Sequence, residues 1–192
     1  MTRTEKNIKR LFDISFSFFL LLILGWFILL LGVVSKIFIG GNGFFLQKRV
    51  GQNGRLFTIY KIETIPPEKG SVKKRVTPKL GRFMQKIKID ELPQVLNVFR
   101  GAMSFVGPRP DLPGFADQLI GKQRIILKVK PGITGPATLL YRDERILLEK
   151  QENPDKYNKE VIWPQKITIN MKYVEEYSFI MDMYYIYKTF IS

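Results

Sequence analysis

Residues 14–35, ISFSFFLLLILGWFILLLGVVS, contain no charged side chain. At roughly 1.5 Å per residue, a helix of that length reaches across the roughly 30 Å hydrocarbon layer of a bilayer. Such a helix has no polar face to turn toward water, which argues against a core helix in a water-soluble domain. The run is longer than the apolar region of a signal peptide and no convincing small-residue cleavage site follows it, so it is read as retained. Basic residues flank both ends: Arg3, Lys6, Lys9 and Arg10 before it, Lys36, Lys48, Arg49 and Arg55 after it. Lys and Arg favour the cytoplasmic side. The pattern therefore suits a helix that enters and returns on one face, with Gly25 beside Trp26 as the place for a bend. A straight crossing competes with it.

Beyond the turn-rich Gly40-Gly41-Asn42-Gly43 the chain changes character. The expected division is a membrane-anchoring segment, 1–39, and a catalytic domain, 40–192. FFLQKRVGQNGRLFTIYKIET reads as two short strands about the Gly51–Gly54 turn. A loop is expected from Pro66 to Gly70, then a basic run of Lys73, Lys74, Arg75, Lys79, Arg82, Lys86 and Lys88 with no acid before Asp90. Leu92, Val95, Leu96 and Phe99 recur at helical spacing, so 92–100 is expected to be a short helix with Pro93 tolerated in its first turn. KPGITG, 130–135, is a tight turn. The segment from Arg142 to Tyr157 is charged and expected to be helical, with an interruption at Asn153-Pro154. The last twenty residues hold seven aromatics; a core-packing helix or one lying at a membrane interface would both use them. The fold expected is a single membrane-associated domain of helix-rich α+β class, with a small sheet and several short helices.

Charge and residue types narrow the chemistry. With 31 basic and 17 acidic side chains the net charge is +14, which suits nucleic acid, anionic lipid or a phosphorylated substrate. No nucleic-acid recognition motif accompanies the charge, so no nucleic-acid partner is expected. There is no His and no Cys, which excludes an imidazole base, a thiolate nucleophile, a disulfide and a Cys/His zinc site. Any metal site must use hard oxygen ligands, which suits Mg²⁺ or Mn²⁺.

KIKIDELPQVLNVFRGAMSFVGPRP, 86–110, concentrates what remains. Asp90 and Glu91 stand at or just before the positive end of the expected helix, which favours their ionised forms. An ionised Asp can attack phosphorus, and a neighbouring carboxylate can help hold a divalent cation. Gly107-Pro108-Arg109-Pro110 restricts the backbone around Arg109, whose guanidinium can match two phosphate oxygens at once.

DELPQVLNVFRGAMSFVGPRP resembles the signature of the bacterial sugar transferases, the monotopic phosphoglycosyl transferases. QKRVGQNGRLFTIYK, LGRFMQK and KPGITG extend the resemblance through most of the chain. It implies transfer of a sugar-1-phosphate from a UDP-sugar to polyprenyl phosphate at the cytoplasmic face of the bacterial inner membrane, starting a lipid-linked glycan. Asp90 would be the nucleophile, carrying the phospho-sugar after UMP leaves, and Glu91 would complete the dyad. Mg²⁺ would bind at Asp90 and Glu91. Lys61, Arg109 and Arg142 match positions expected to handle phosphate or nucleotide. Anionic membrane lipids and downstream glycosyltransferases are the further partners implied.

Four positions depart from the family pattern. Glu63 stands where a base is usual, Gln85 where an arginine is usual, with Lys86 beside it as a substitute, and Ala102 where an aspartate is usual. Gly25-Trp26 replaces the Ser-Pro pair of the re-entrant helix. The competing reading is a membrane-anchored relative that binds nucleotide-sugar or polyprenyl phosphate as a scaffold.

Overall fold

One helix, α1 (Arg3–Phe38), carries the apolar run. The computed structural model describes residues 1–67 and 77–191; Lys73, Lys74 and Arg75 of the basic run, and the end of the loop expected up to Gly70, lie outside them. At 36 residues, α1 is about 54 Å long. It begins at Arg3 because Thr2 and Glu5 form a reciprocal cap. Thr2 Oγ1 accepts from the Glu5 N–H at 3.2 Å and Glu5 Oε2 from the Thr2 N–H at 2.6 Å, satisfying two otherwise orphan donors. The helix continues through Gly25 without a break. A lone glycine lowers helix stability by about 1 kcal/mol but leaves the backbone ladder intact.

One face of α1 is tied to the rest of the chain along its length. Lys9, Asp13, Ser17, Gly32 and Ser35 are buried there, with Ile28 and Leu31. Buried polar groups need partners, and these have them. Lys9 Nζ donates to Asp182. Asp13 Oδ1 accepts from Ser104 Oγ at 3.0 Å and the Phe105 N–H at 3.1 Å. Ser35 Oγ donates to the Glu63 carbonyl at 2.5 Å. The other face is bare: Leu22, Trp26 and Leu29 are each more than 60% exposed. Only 22% of the most apolar stretch is buried inside the protein.

β1 (Phe44–Val50) and β2 (Leu56–Ile62) form the expected antiparallel hairpin, from Phe44 opposite Ile62 to Val50 opposite Leu56. Its turn uses Asn53 and Gly54 at positive φ, the conformation Asn and Gly accept at least cost. α2 (Lys79–Lys86) leads to a 3-10 turn, Ile89–Glu91, and then to α3 (Gln94–Phe99). The helix expected from 92 thus starts after Pro93, which caps it. Asn97 of α3 fastens the hairpin: its Oδ1 accepts from the Tyr60 N–H at 3.1 Å and its Nδ2 donates to the Thr58 carbonyl at 2.7 Å.

β3 (Ser104–Val106) runs parallel to β4 (Gly132–Thr134). This pairing brings VGPRP against KPGITG, and Gly107 and Gly132 allow it. A Cβ at Gly132 would lie 2.2 Å from the Gly107 nitrogen. Among the described residues five α-helices follow, α4 (Pro136–Leu140), α5 (Glu144–Glu149), α6 (Pro154–Tyr157), α7 (Trp163–Glu175) and α8 (Phe179–Ile191), with a π-helical turn, Asn158–Ile162, joining α6 to α7. The expected interruption is present, with Asn153 capping α6 through Oδ1 and the Lys156 N–H at 3.0 Å. The architecture is a helix-rich α+β domain with two small sheets. Its main core joins Ile59, Val98, Phe105, Val106 and Tyr173, and Phe12, Phe16 and Leu20 of α1 pack against it.

Candidate active site

The turn bearing the two carboxylates is held in an uncommon shape. Lys88 sits in the left-handed region at φ 59°, which a lysine adopts only where its surroundings hold it there. Asp90 and Glu91 follow, 7% and 9% exposed.

Glu91 is the hub of a cation cage. Its Oε1 accepts from Lys61 Nζ at 2.8 Å and Arg109 Nη2 at 2.5 Å, and its Oε2 lies 3.4 Å from Arg109 Nη1. Burial acts against ionisation of Glu91, but Arg109 and then Lys61 override it and hold the carboxyl well below the usual range. Lys61 comes from β2 and Arg109 from the strap after β3. That strap is fixed from both sides: the Gly107 N–H donates to the Thr134 carbonyl and the Gly132 N–H to the Pro108 carbonyl, both at 2.9 Å.

Asp90 has the opposite environment. Burial first, and the Glu91 charge second, push its carboxyl above the ordinary range, against the attraction of Lys61 and Lys88. Its Oδ1 is buried with no hydrogen-bond partner among the described residues. Two adjacent carboxylates are thus driven apart, one held ionised by two cations that crowd its Oε1, the other a stronger base with an unused oxygen. Such a split marks groups with different chemical tasks.

A cleft of about 640 Å³ opens beside the dyad. Lys88, Glu91, Arg109 and Arg142 line it, as do the apolar Phe16, Leu20, Ile186 and Phe190, from α1 and α8. Asp90 is not among the lining residues. Of the positions expected from sequence, Asp90, Glu91, Lys61 and Arg109 come together, and Arg142 lines the cleft with Glu91 and Arg109. Lys86 does not: it is exposed in the last turn of α2 and off the cleft wall, where Lys88 stands instead.

Sequence reasoning missed Asp111, Glu144 and Lys166, which also line the cleft. Asp111 had a signal, since it directly follows the Pro-Arg-Pro strap; burial pushes its carboxyl up to about 7 despite Lys166, Arg49 and Arg109. Glu144 and Lys166 pair at 2.6 Å across 22 residues of sequence, a contact that local pattern does not announce.

Among the described residues no group of three or more Asp or Glu gathers as a ready metal cage. Mg²⁺ needs less, keeping several waters and taking one or two carboxylates. The unpartnered Asp90 Oδ1 and the lightly used Glu91 Oε2 fit that role.

Comparison with known proteins gives the family. The family model described as bacterial sugar transferase matches residues 4–192. The chain belongs to that family. EpsL of Bacillus subtilis (strain 168), an uncharacterized sugar transferase, is 37% identical over 182 residues, which are 92% of this chain and 82% of the relative. The exopolysaccharide production protein PSS of Rhizobium leguminosarum bv. phaseoli is 30% identical over 200 residues, 96% of this chain and 94% of the relative. The UDP-glucose:undecaprenyl-phosphate glucose-1-phosphate transferase of Escherichia coli (strain K12) is 30% identical over 98% of this chain, which matches 40% of that longer protein.

Two of the departures from the family pattern have structural employment. Glu63 Oε2 accepts from the Asn42 N–H at 2.9 Å, closing the turn after α1. Gln85 Nε2 donates to Thr64 Oγ1 at 2.8 Å, joining α2 to the end of β2. Nothing in the structure explains Ala102.

Proposed function

We propose that the chain transfers a sugar-1-phosphate from a UDP-sugar to a polyprenyl phosphate such as undecaprenyl phosphate, and so starts a lipid-linked glycan. The supporting observation is one cleft lined both by charged groups, Lys88, Glu91, Arg109 and Arg142, and by apolar side chains of α1 and α8. A diphosphate and an isoprenoid chain need both kinds of surface. Residues 1–39 would anchor the protein at the cytoplasmic face of the bacterial inner membrane, with 40–192 as the catalytic part. Anionic lipid headgroups would be drawn to the net charge of +14.

In this reading Asp90 attacks the sugar-proximal phosphorus and the bond to the UMP oxygen breaks. An oxygen of the polyprenyl phosphate then attacks the same phosphorus and frees the Asp90 carboxylate. Arg109 and Arg142 offset phosphate charge so that an anion can approach. Glu91 holds Lys61 and Arg109 in place. Mg²⁺, held by Asp90 and Glu91, would supply further neutralisation of the diphosphate. Because Asp90 is 7% exposed and off the cleft wall, substrate binding must open its carboxyl to the cleft.

That same burial favours a second reading, a binding scaffold in which Asp90 never reacts. The two separate on UMP release from purified protein given a UDP-sugar panel and polyprenyl phosphate. Transfer is expected, with Asp90→Asn abolishing both UMP release and any covalent phospho-sugar adduct while membrane association persists. Full turnover in Asp90→Asn would refute the mechanism; no turnover in the unaltered protein would favour the scaffold.

A further inference from the structure

α4, α5 and α7 contribute a further set of side chains to the cleft. α7 presents Trp163, Lys166 and Asn170 to it, spaced three and four apart and so on one helical face. Thr138 of α4 and Glu144 at the start of α5 complete the patch. Asn170 is 7% exposed, and its Oδ1 has no hydrogen-bond partner among the described residues; the same holds for the buried Thr138 Oγ1. An unpaired buried polar atom costs about 1–3 kcal/mol, and two in residues lining a large cleft point to a ligand that pairs them. Lys166 already spends its charge on Glu144, at 2.6 Å.

Asn170 Oδ1 calls for a hydrogen-bond donor on the ligand, and the Thr138 hydroxyl can pair with a donor or an acceptor. Asn170 Oδ1 can only accept, and Glu144 retains lone pairs that also accept. Phosphate oxygens, being acceptors, cannot satisfy either. A neutral ring carrying hydroxyl groups can, and an indole beside it suits the C–H face of such a ring. Uracil is the poorer match because its ring offers a single N–H.

Resting on the transferase reading above, we propose that Thr138, Glu144 and Asn170, with Trp163, hold the sugar ring of the nucleotide-sugar and set which sugar is accepted. Lys88, Arg109 and Arg142 then take the diphosphate, and discrimination among UDP-sugars resides on α4, α5 and α7.

The test uses the full chain in detergent micelles and measures binding, which needs no turnover. UDP-glucose, UDP-galactose, UDP-N-acetylglucosamine and UMP compete against a fluorescent uridine nucleotide. Thr138→Val and Asn170→Leu should weaken the preferred UDP-sugar by about 3–10-fold each, the worth of one hydrogen bond, and flatten the ranking of sugars. UMP should change by less than about twofold, and Thr138→Ser should restore wild-type binding. Deoxy analogues on the unaltered protein give an answer independent of how the variants fold. At least one should bind about tenfold weaker than its parent, and Thr138→Val or Asn170→Leu should abolish that difference. Equal losses for UMP and UDP-sugars would place the uridine here and overturn the proposal. Unchanged binding throughout, with the orphan atoms satisfied by water alone, would overturn it too. Sugar-selective binding without transfer would sink the transferase reading and leave this inference standing; transfer with no sugar-selective loss would do the reverse.

Discussion

Replacing Asp111 by Asn turns the electrostatics of the strap into a measurable stability. The Asp111 carboxyl is pushed by burial from 3.8 up to about 7, against the pull of Lys166, Arg49 and Arg109. Below pH 4 both folded and unfolded chains carry the proton, and Asp111 adds no pH dependence. Between pH 4 and 7 the unfolded chain releases its proton while the folded one keeps it, so stability falls as pH rises; above about pH 7 the loss levels off. The gap of about three pH units, at 1.36 kcal/mol each, sets an upper limit of about 4 kcal/mol. Asp111 is only partly buried, so a loss of about 2–4 kcal/mol is the working figure. Asn removes the titration and retains nearly the same volume. Thermal unfolding in detergent from pH 4 to 9 should give nearly equal midpoints for the two proteins at the acid end. At pH 8 the variant should lead by about 4–16 °C, taking 2–4 °C per kcal/mol for a chain of this size. Parallel profiles, or a lead that shrinks as pH rises, would refute the assignment.

Arg109→Lys replaces a fork on Glu91 with a single point of contact, and should lower kcat/KM about 10–100-fold with little change in unfolding midpoint; an unchanged kcat/KM would show the fork to be dispensable. Asp182 accepts from Lys9, from Tyr173 Oη at 2.7 Å and from Tyr177 Oη at 3.1 Å. Asp182→Asn strands the Lys9 charge and should cost about 3–5 kcal/mol; adding Lys9→Met should recover part of it, and no recovery in denaturation measurements would contradict the pairing. Gly43 sits at φ 79° with its Cβ position 2.2 Å from the Gly32 carbonyl oxygen. Gly43→Ala should therefore lose at least about 2 kcal/mol, and a neutral result would mean that α1 and the hairpin are less closely seated than described.

How much of this was legible in the sequence depends on how far apart the partners lie. The apolar run, the hairpin about Asn53-Gly54 and the carboxylate dyad before Pro93 are local patterns, and each was read from local rules. The early start of α1 was also written locally, in Thr2 and Glu5, but the hydrophobic run drew attention away from it. At Gly25 the helix is unbroken, because one glycine does not interrupt a helical ladder. What sequence could not show were the long-range partners. Lys9 meets Asp182 across 173 residues and Asp13 meets Ser104 across 91. Without them Lys9 reads as a flanking charge instead of a buried anchor. At the site, Lys86 and Lys88 are equivalent by composition; only the left-handed turn at Lys88 decides which one reaches the cleft.

The attachment of α1 at both ends has a kinetic consequence. Lys9 and Ser35 are bound to the same domain, so the bare hydrocarbon face between them is held at a fixed depth relative to the cleft. On the proposed transferase reading, a protein seated this way would meet its lipid substrate by diffusion within a plane. Its rate would then follow the number of polyprenyl phosphates per area of membrane, while the nucleotide-sugar still arrives from bulk solution. Diluting the acceptor with inert lipid should slow the reaction even when the total amounts of protein and acceptor are unchanged.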